Sequence, residues 1–283
     1  MESKKWKIIL ILLLFFGNLN QSNCQVVKLM TYNIRYDNAG DKENRWDLRK
    51  DYLTDQIKFH EPGILGIQEG LHHQVNYVDS CLTDYKFIGV GRNDGKTKGE
   101  YSAIFYKNKN YEIIKSSTFW LSETPEIISK GWDAALERIC TYALFEDKNN
   151  KQKFWVFNTH FDHRGETARI NSAKLIINKI SELNINNYPV ILMGDLNLES
   201  ESQAIQYITK FLNDSKQSAT RVTFGPNSTF NGFNFNYTEG KRIDYIFTSK
   251  KGILVNKYAV LTDSKDQKYP SDHFPVFVKI IFK

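Results

Sequence analysis

Val190-Ile191-Leu192-Met193-Gly194-Asp195-Leu196-Asn197 decides the fold class. Four consecutive apolar residues bounded by a glycine read as a short buried strand. The strand stops at a carboxylate, and an amide follows two residues later. The same design recurs along the chain. Val26–Tyr32 ends at Asn33, Ile64–Gln68 at Glu69, and Phe154–Phe157 in Asn158-Thr159-His160. A buried strand that stops at a polar residue carries it to the edge of a sheet, where sites of α/β folds gather.

Further strands are expected at Lys86–Val90, Tyr101–Tyr106, Tyr111–Lys115, Ile139–Glu146, Arg242–Thr248 and Phe274–Ile281. Helical spacing is read over Trp46–His60, with Trp46, Leu48, Leu53, Ile57 and Phe59 mostly on one side. His72–Leu82, Thr167–Leu183 and Ser200–Phe211 are the other expected helices. Asn213–Asn236 is polar and irregular and is expected to form long surface loops. No Pro/Gly/Ser-rich linker and no repeat divides the chain, so residues 26–283 are read as one mixed α/β domain.

Residues 1–25 differ from the rest. Lys4, Lys5 and Lys7 precede the apolar run Ile8–Phe16, and polar Asn18–Gln25 follows. This is the pattern of a secretory signal peptide, too short for the roughly 20 apolar residues of a comfortable span. A secreted or periplasmic protein is expected, with no membrane span once the signal is cleaved. Lipid anchoring through Cys24 ranks below simple export. Loss of three lysines and one glutamate lowers the net charge from +6 to +4. Such a mildly basic surface suits anionic substrates without naming one. Cys81 and Cys140 then remain, either paired or as buried thiols. With no CxxC motif and no Cys/His cluster, the sequence argues against a structural zinc site.

Asn33, Glu69, His160, Asp195, Asn197, Asp244, Asp272 and His273 together carry more meaning than each alone. Carboxylates and amides suit a hard, oxygen-seeking cation. Amide NH₂ groups donate to phosphate oxygens. A histidine oriented by an aspartate handles the proton of an attacking water.

Six stretches then carry a resemblance. They are Thr31-Tyr32-Asn33-Ile34-Arg35, Gly66-Ile67-Gln68-Glu69, Asn158-Thr159-His160, Gly194-Asp195-Leu196-Asn197, Arg242-Ile243-Asp244-Tyr245-Ile246 and Ser271-Asp272-His273-Phe274-Pro275-Val276. In this order they resemble the motif series of the endonuclease/exonuclease/phosphatase, or DNase I-like, superfamily, from about Val27 to Lys279. The resemblance implies a four-layer α/β/β/α sandwich of two mixed β-sheets flanked by helices. It implies Glu69 as principal metal ligand with Asn33 beside it, and Asp272 as a further metal-side carboxylate. Asp195 orients the attacking water and sometimes binds metal. Asn197 resembles the phosphate-binding amide, and His160 the histidine that binds phosphate or assists the leaving group. His273 resembles the catalytic histidine, with Asp244 as its orienting carboxylate. The cofactor implied is Mg²⁺ or Mn²⁺, as one or two ions.

The function expected is metal-dependent phosphoester hydrolysis by activated water, in a monomer. A nuclease-like phosphodiesterase leads. The alternative is a phosphatase or phosphodiesterase acting on a small molecule, lipid head group or glycan. A catalytically dead binding module ranks last, since every site position keeps a competent residue type. Arg138 is a candidate phosphate ligand, balanced against a surface ion pair. Asp162, His163 and Arg164 read as a solvated loop before a substrate rim, and His72 and His73 as helix-surface residues. Glu100 is placed near the substrate by the resemblance. Trp120 and Trp132 are candidates for stacking, with core packing the commoner fate of such rings.

Overall fold

The computed structural model describes residues 26–236 and 240–283. The expected signal peptide, residues 1–25, and with it Cys24, lies outside these residues. Sheet one takes β1 (Val26–Asn33), β2 (Ile64–Gly70), β3 (Tyr85–Ile88), β4 (Tyr101–Lys107), β11 (Ile253–Val260) and β12 (Val276–Phe282). Their spatial order is β11-β12-β1-β2-β4-β3. Sheet two takes β5 (Tyr111–Trp120), β6 (Ile139–Asp147), β7 (Lys153–His160), β8 (Val190–Asp195), β9 (Leu212–Asp214) and β10 (Asp244–Ser249), in the order β5-β6-β7-β8-β10-β9. Each sheet has one parallel pair, β1 with β2 and β7 with β8, among antiparallel neighbours. Helices α1 (Trp46–His60) and α2 (His72–Cys81) cover sheet one. Helices α3 (Glu166–Leu183) and α4 (Gln203–Thr209) cover sheet two, and α5 (Ser215–Ser218) is a single turn. The result is the expected four-layer sandwich. Among the described residues, no helix is long and apolar enough to cross a membrane.

Three apolar layers follow from the two-residue period of the strands. Val27 and Leu29 of β1, Phe154 and Val156 of β7, and Ile191 and Met193 of β8 fill the space between the sheets. Their neighbours Met30 and Tyr32 face α1 and α2. Trp155, Phe157 and Leu192 face α3 and α4. Cys140 lies in the layer under α3 and Cys81 ends α2 across the sandwich, so both are free thiols and no disulfide joins them.

Several expected elements shift. Leu48 and Phe59 are 61% and 80% exposed, while Arg49, Thr54 and Gln56 join Trp46, Leu53 and Ile57 on the inner face of α1. The buried arc follows steps of three and four residues, and positions 48 and 59 fall off it. Tyr111–Lys115 continues as an edge strand to Trp120, its polar outward residues concealing it. β11 was not expected, because a bulge between Val255 and Lys257 breaks its alternation. Ser200–Phe211 shortens to α4, where the Ser202 side chain accepts from Ile205 N as the cap. The segment Asn213–Asn236 is less superficial than expected: Ser215, Ser228, Thr229 and Asn231 are buried.

A polar cross-brace joins the sheets. Fully buried Asn158 of β7 donates to Ile67 O at 2.9 Å and Ala103 O at 2.8 Å in sheet one. Its Oδ1 accepts from Gln68 Nε2 at 2.7 Å, and the same nitrogen donates to Thr31 Oγ1. Gly66 leaves room for this brace, since a Cβ there would sit 2.7 Å from Asn158 Oδ1. Asn158→Ala strands these groups without water, at about 1–3 kcal/mol for each unpaired one. Urea unfolding is expected to show a loss of about 3 kcal/mol, and a loss below about 1 kcal/mol counts against the brace.

Candidate active site

The parity that packs the inter-sheet core also delivers the site. Along β1 the inward positions run Val27, Leu29, Thr31 and Asn33. Along β7 they run Phe154, Val156, Asn158 and His160, and along β8 Ile191, Met193 and Asp195. In all three the inner face passes from apolar to polar towards the strand's end. Asp195 pairs in register with His160 on one side and Asp244 on the other, so three strands present a row of reactive side chains. Glu69 has the wrong parity. It reaches the site because β2 bulges between Gln68 and Gly70 with Glu69 at φ 64°. Gly194 permits the approach of β8 to β7, since a Cβ at its φ of 145° would meet Thr159 O at 1.9 Å.

The Asn33 amide ties the two sheets together. Its Nδ2 donates to Glu69 Oε1 and to Asp195 Oδ2, both at 2.9 Å. Its Oδ1 accepts from Arg35 N at 3.0 Å, which fixes the amide's orientation. Tyr36 N donates to Glu69 Oε2 at 3.1 Å. Arg35 forks onto Asp41 and lies 4.0 Å from Glu69 Oε2 and 3.7 Å from Asp272 Oδ2. The Asp41 hydrogen bonds hold the guanidinium well above its ordinary pKa, so this cation is permanent.

His273 Nδ1 meets Asp244 Oδ2 at 2.9 Å, and its Nε2 lies 3.8 Å from Asp195 Oδ2. Burial alone favours the neutral ring. The Asp244 and Asp195 carboxylates outweigh it and hold the His273 pKa well above the ordinary value. Burial, with the Asp244 charge adding, pushes Asp195 up to about 7. His160 behaves oppositely: burial, then the charges of Arg138 and Arg92, hold its pKa well below normal. It is therefore neutral, and its 3.5 Å approach to Asp195 is not an ion pair. Asn197, at φ 51°, donates through Nδ2 to Phe161 O at 3.0 Å and approaches His160 Nε2 at 3.1 Å. Its NH₂ group thus orients the His160 ring.

Glu69, His160, Asp195, Asn197 and His273 line one cavity of about 750 Å³, together with Arg35, Tyr36, Glu100, Arg138, His163, Phe230, Phe233, Lys241 and Asp272, while Asn33 and Asp244 stand behind its wall. Arg138 is buried rather than on the surface. Its Nε lies 3.4 Å from Asp162 Oδ2, its Nη2 3.1 Å from His163 Nδ1, and its Nη1 has no partner. Asp162 is not solvated either. At 1% exposure it accepts from Arg164 N and Gly165 N, closing the turn before α3. Glu100 lines the cavity and forks with Arg92 at 2.6 and 2.8 Å. His72 and His73 stay on the α2 surface, against Tyr101 and Asp37. Trp120 packs in the interior, and neither it nor Trp132 lines the cavity.

The model of the Endonuclease/Exonuclease/phosphatase family matches residues 30–273. The chain belongs to this family. An endonuclease/exonuclease/phosphatase family protein from Bacteroides thetaiotaomicron is 39% identical, with a TM-score of 0.87 over 92% of this chain and 98% of its own. A mannosyl-6-phosphatase from the same organism is also 39% identical, with a TM-score of 0.87 over 90% of this chain and all of its own. A probable RNA exonuclease of Saccharomyces cerevisiae is 27% identical over 206 residues, 65% of this chain and 40% of its own length.

As a member of the endonuclease/exonuclease/phosphatase family, the protein is a divalent-metal-dependent phosphoester hydrolase. The donor chemistry fits such an ion. Oxygens of Glu69 and Asp195 and a nitrogen of His160 lie within 4.8 Å of one another. Asp272 stands beside them across Arg35. Carboxylates facing a wet cavity suit a hard cation that keeps waters and phosphate oxygens as ligands. Glu69, Asp195 and Asp272 are the residues that would hold it. Asp195, Asp244 and His273 form a second group of similar compactness, but there His273 Nδ1 is already engaged by Asp244.

Sequence reading passed over Arg35, Asp41, Tyr36, Phe230, Phe233 and Lys241. Only Arg35 carried a signal, as the last residue of the motif around Asn33.

Two expectations follow. Asp244→Asn removes the anion on Nδ1, so the His273 pKa falls towards its ordinary value. Imidazole NMR titration of the metal-free protein reads that fall, and kcat drops about 10²- to 10⁴-fold. Glu69→Ala weakens direct Mn²⁺ binding, followed by titration calorimetry, by at least about 100-fold. An unchanged affinity removes Glu69 from the metal site.

Proposed function

We propose that this chain is a Mg²⁺-dependent phosphomonoesterase acting on phosphorylated sugars. The observation that carries the reading is the cavity itself, whose volume lies in the range of small-molecule sites. Its cations are few: Arg35 is engaged by Asp41 and Arg138 by Asp162 with only Nη1 left over, and Lys241 and protonated His273 complete the set. A single phosphate suits that wall better than a polyanion needing many phosphate contacts. The 39%-identical mannosyl-6-phosphatase supports the same choice. The sequence alone favoured a nuclease. That reading stays second, supported by the yeast relative described as a probable RNA exonuclease.

Bound Mg²⁺ supplies positive charge against the non-bridging phosphate oxygens. The chain's own groups do the rest. Asp195, whose Oδ2 accepts from Asn33 Nδ2 and lies 3.8 Å from His273 Nε2, is placed to take up the proton of an attacking water. Protonated His273, oriented by Asp244, donates to a phosphate oxygen as charge builds there. Asn33 holds Glu69 and Asp195 in register. Neutral His160, oriented by Asn197, faces the same phosphate.

A substrate panel with Mg²⁺, Mn²⁺ and EDTA tests the assignment. It should include mannose 6-phosphate, p-nitrophenyl phosphate, bis-p-nitrophenyl phosphate, RNA and plasmid DNA. Metal-dependent release of inorganic phosphate from the monoesters is expected, abolished by EDTA and by His273→Ala. Cleavage confined to diesters or nucleic acid transfers the assignment to the nuclease.

A further inference from the structure

We propose that Phe233 is the platform on which the sugar ring of the substrate stacks, which makes it a specificity residue rather than part of the packed interior. The proposal rests on the phosphomonoesterase reading above.

The backbone supplies the first observation. Phe233 has φ 60°, a left-handed conformation that a bulky side chain rarely adopts. That conformation is strained for a phenylalanine, and a glycine would avoid the strain. The loop is nonetheless built to enforce it. Buried Asn231 accepts from Phe233 N at 2.8 Å through Oδ1 and donates to Ser271 O through Nδ2. Asn231 N and Gly232 N both donate to Asp272 O, at 2.8 and 3.0 Å. The backbone that carries Phe233 is therefore tied to the Ser271-Asp272 backbone, immediately before His273.

The surroundings of the ring supply the second observation. Phe233 is half-buried and belongs to none of the three apolar layers. Behind it the Arg49 guanidinium lies 5.6 Å from the ring centroid. Arg49 is itself immobilised by bonds to the carbonyls of Ile34, Arg35, Asn44 and Pro270. Phe233 also lines the cavity that holds Glu69, Asp195 and His273. Phe230, 37% exposed, continues the wall, with its ring 5.1 Å from the His273 ring at 74°. A strained, rigidly seated aromatic at the mouth of a phosphate site gains nothing from core packing.

A pyranose presents C–H groups on one face and hydroxyls at its rim. Those C–H groups carry partial positive charge and pack on the negative face of an aromatic ring. A sugar phosphate would thus place its phosphate among Asp195, His160 and His273 and its ring against Phe233.

The test compares kcat/KM for mannose 6-phosphate with that for ringless glycerol 3-phosphate. In Phe233→Ala the ratio is expected to fall about tenfold, the size of one aromatic contact. Phe233→Tyr, which keeps the ring, restores it. Phe233→Gly is expected to lose the same ratio while unfolding at an equal or higher temperature, a split that a structural role would not produce. If wild type hydrolyses mannose 6-phosphate and both truncations stay within twofold of its ratio, the platform is overturned alone. If uridine 5′-monophosphate depends on Phe233 more steeply than the sugar phosphate, the ring stacks a base and the sugar assignment is overturned. If wild type cleaves diesters only, the phosphomonoesterase reading falls and the platform with it.

Discussion

The carboxamide of Asn33 is the joint on which the site depends. It hydrogen-bonds Glu69 from its own sheet and Asp195 from the opposite sheet. Two carboxylates brought this close repel unless a donor or a cation lies between them. Asn33 supplies the donor, and Arg35 N holds the amide so that its NH₂ group faces both acids. Removing that amide would leave the two acids facing each other with no donor between them.

One turn deeper, the Asn158 brace performs a similar service. It bonds backbone carbonyls of β2 and β4 and the Gln68 side chain. The inter-sheet space thus changes character along its length. Aliphatic and aromatic residues fill one end, a hydrogen-bonded polar layer follows, and the reactive groups open onto the cavity. Buried polar groups are tolerated there because most have partners. Gln68 Oε1 in the brace and Asp244 Oδ1, His160 Nδ1 and Arg138 Nη1 at the site are among the buried atoms without one.

Charge is divided within the site by the same burial. Two histidines, both buried, stand on either side of Asp195. Burial disfavours charge on both rings, but the Asp244 and Asp195 carboxylates outweigh it at His273, while the charges of Arg138 and Arg92 add to it at His160. That division gives one active site a protonated imidazole and a neutral one.

The sequence by itself determined the strand-by-strand plan. Alternation along β1, β7 and β8 places Asn33, His160 and Asp195 on inward faces, and apolar runs ending in polar residues mark where those strands stop. Side-chain direction in a strand is local, so it can be read from neighbours in the chain. Tertiary structure alone decided the remainder. Glu69 reaches the site through a bulge that reverses its parity, and a bulge depends on the partner strand. Arg138 and Asp162 became a buried pair because α3 and the end of β7 close over them, which no local pattern announces. Phe233 lies in a stretch that reads as polar surface loop, and only bonds to Ser271 and Asp272, far along the chain, turn it to the cavity. Asp195 was legible from the first stretch quoted. Its neighbours Asn33, His160, Asp244 and His273 come from other strands and loops, which only the fold brings together.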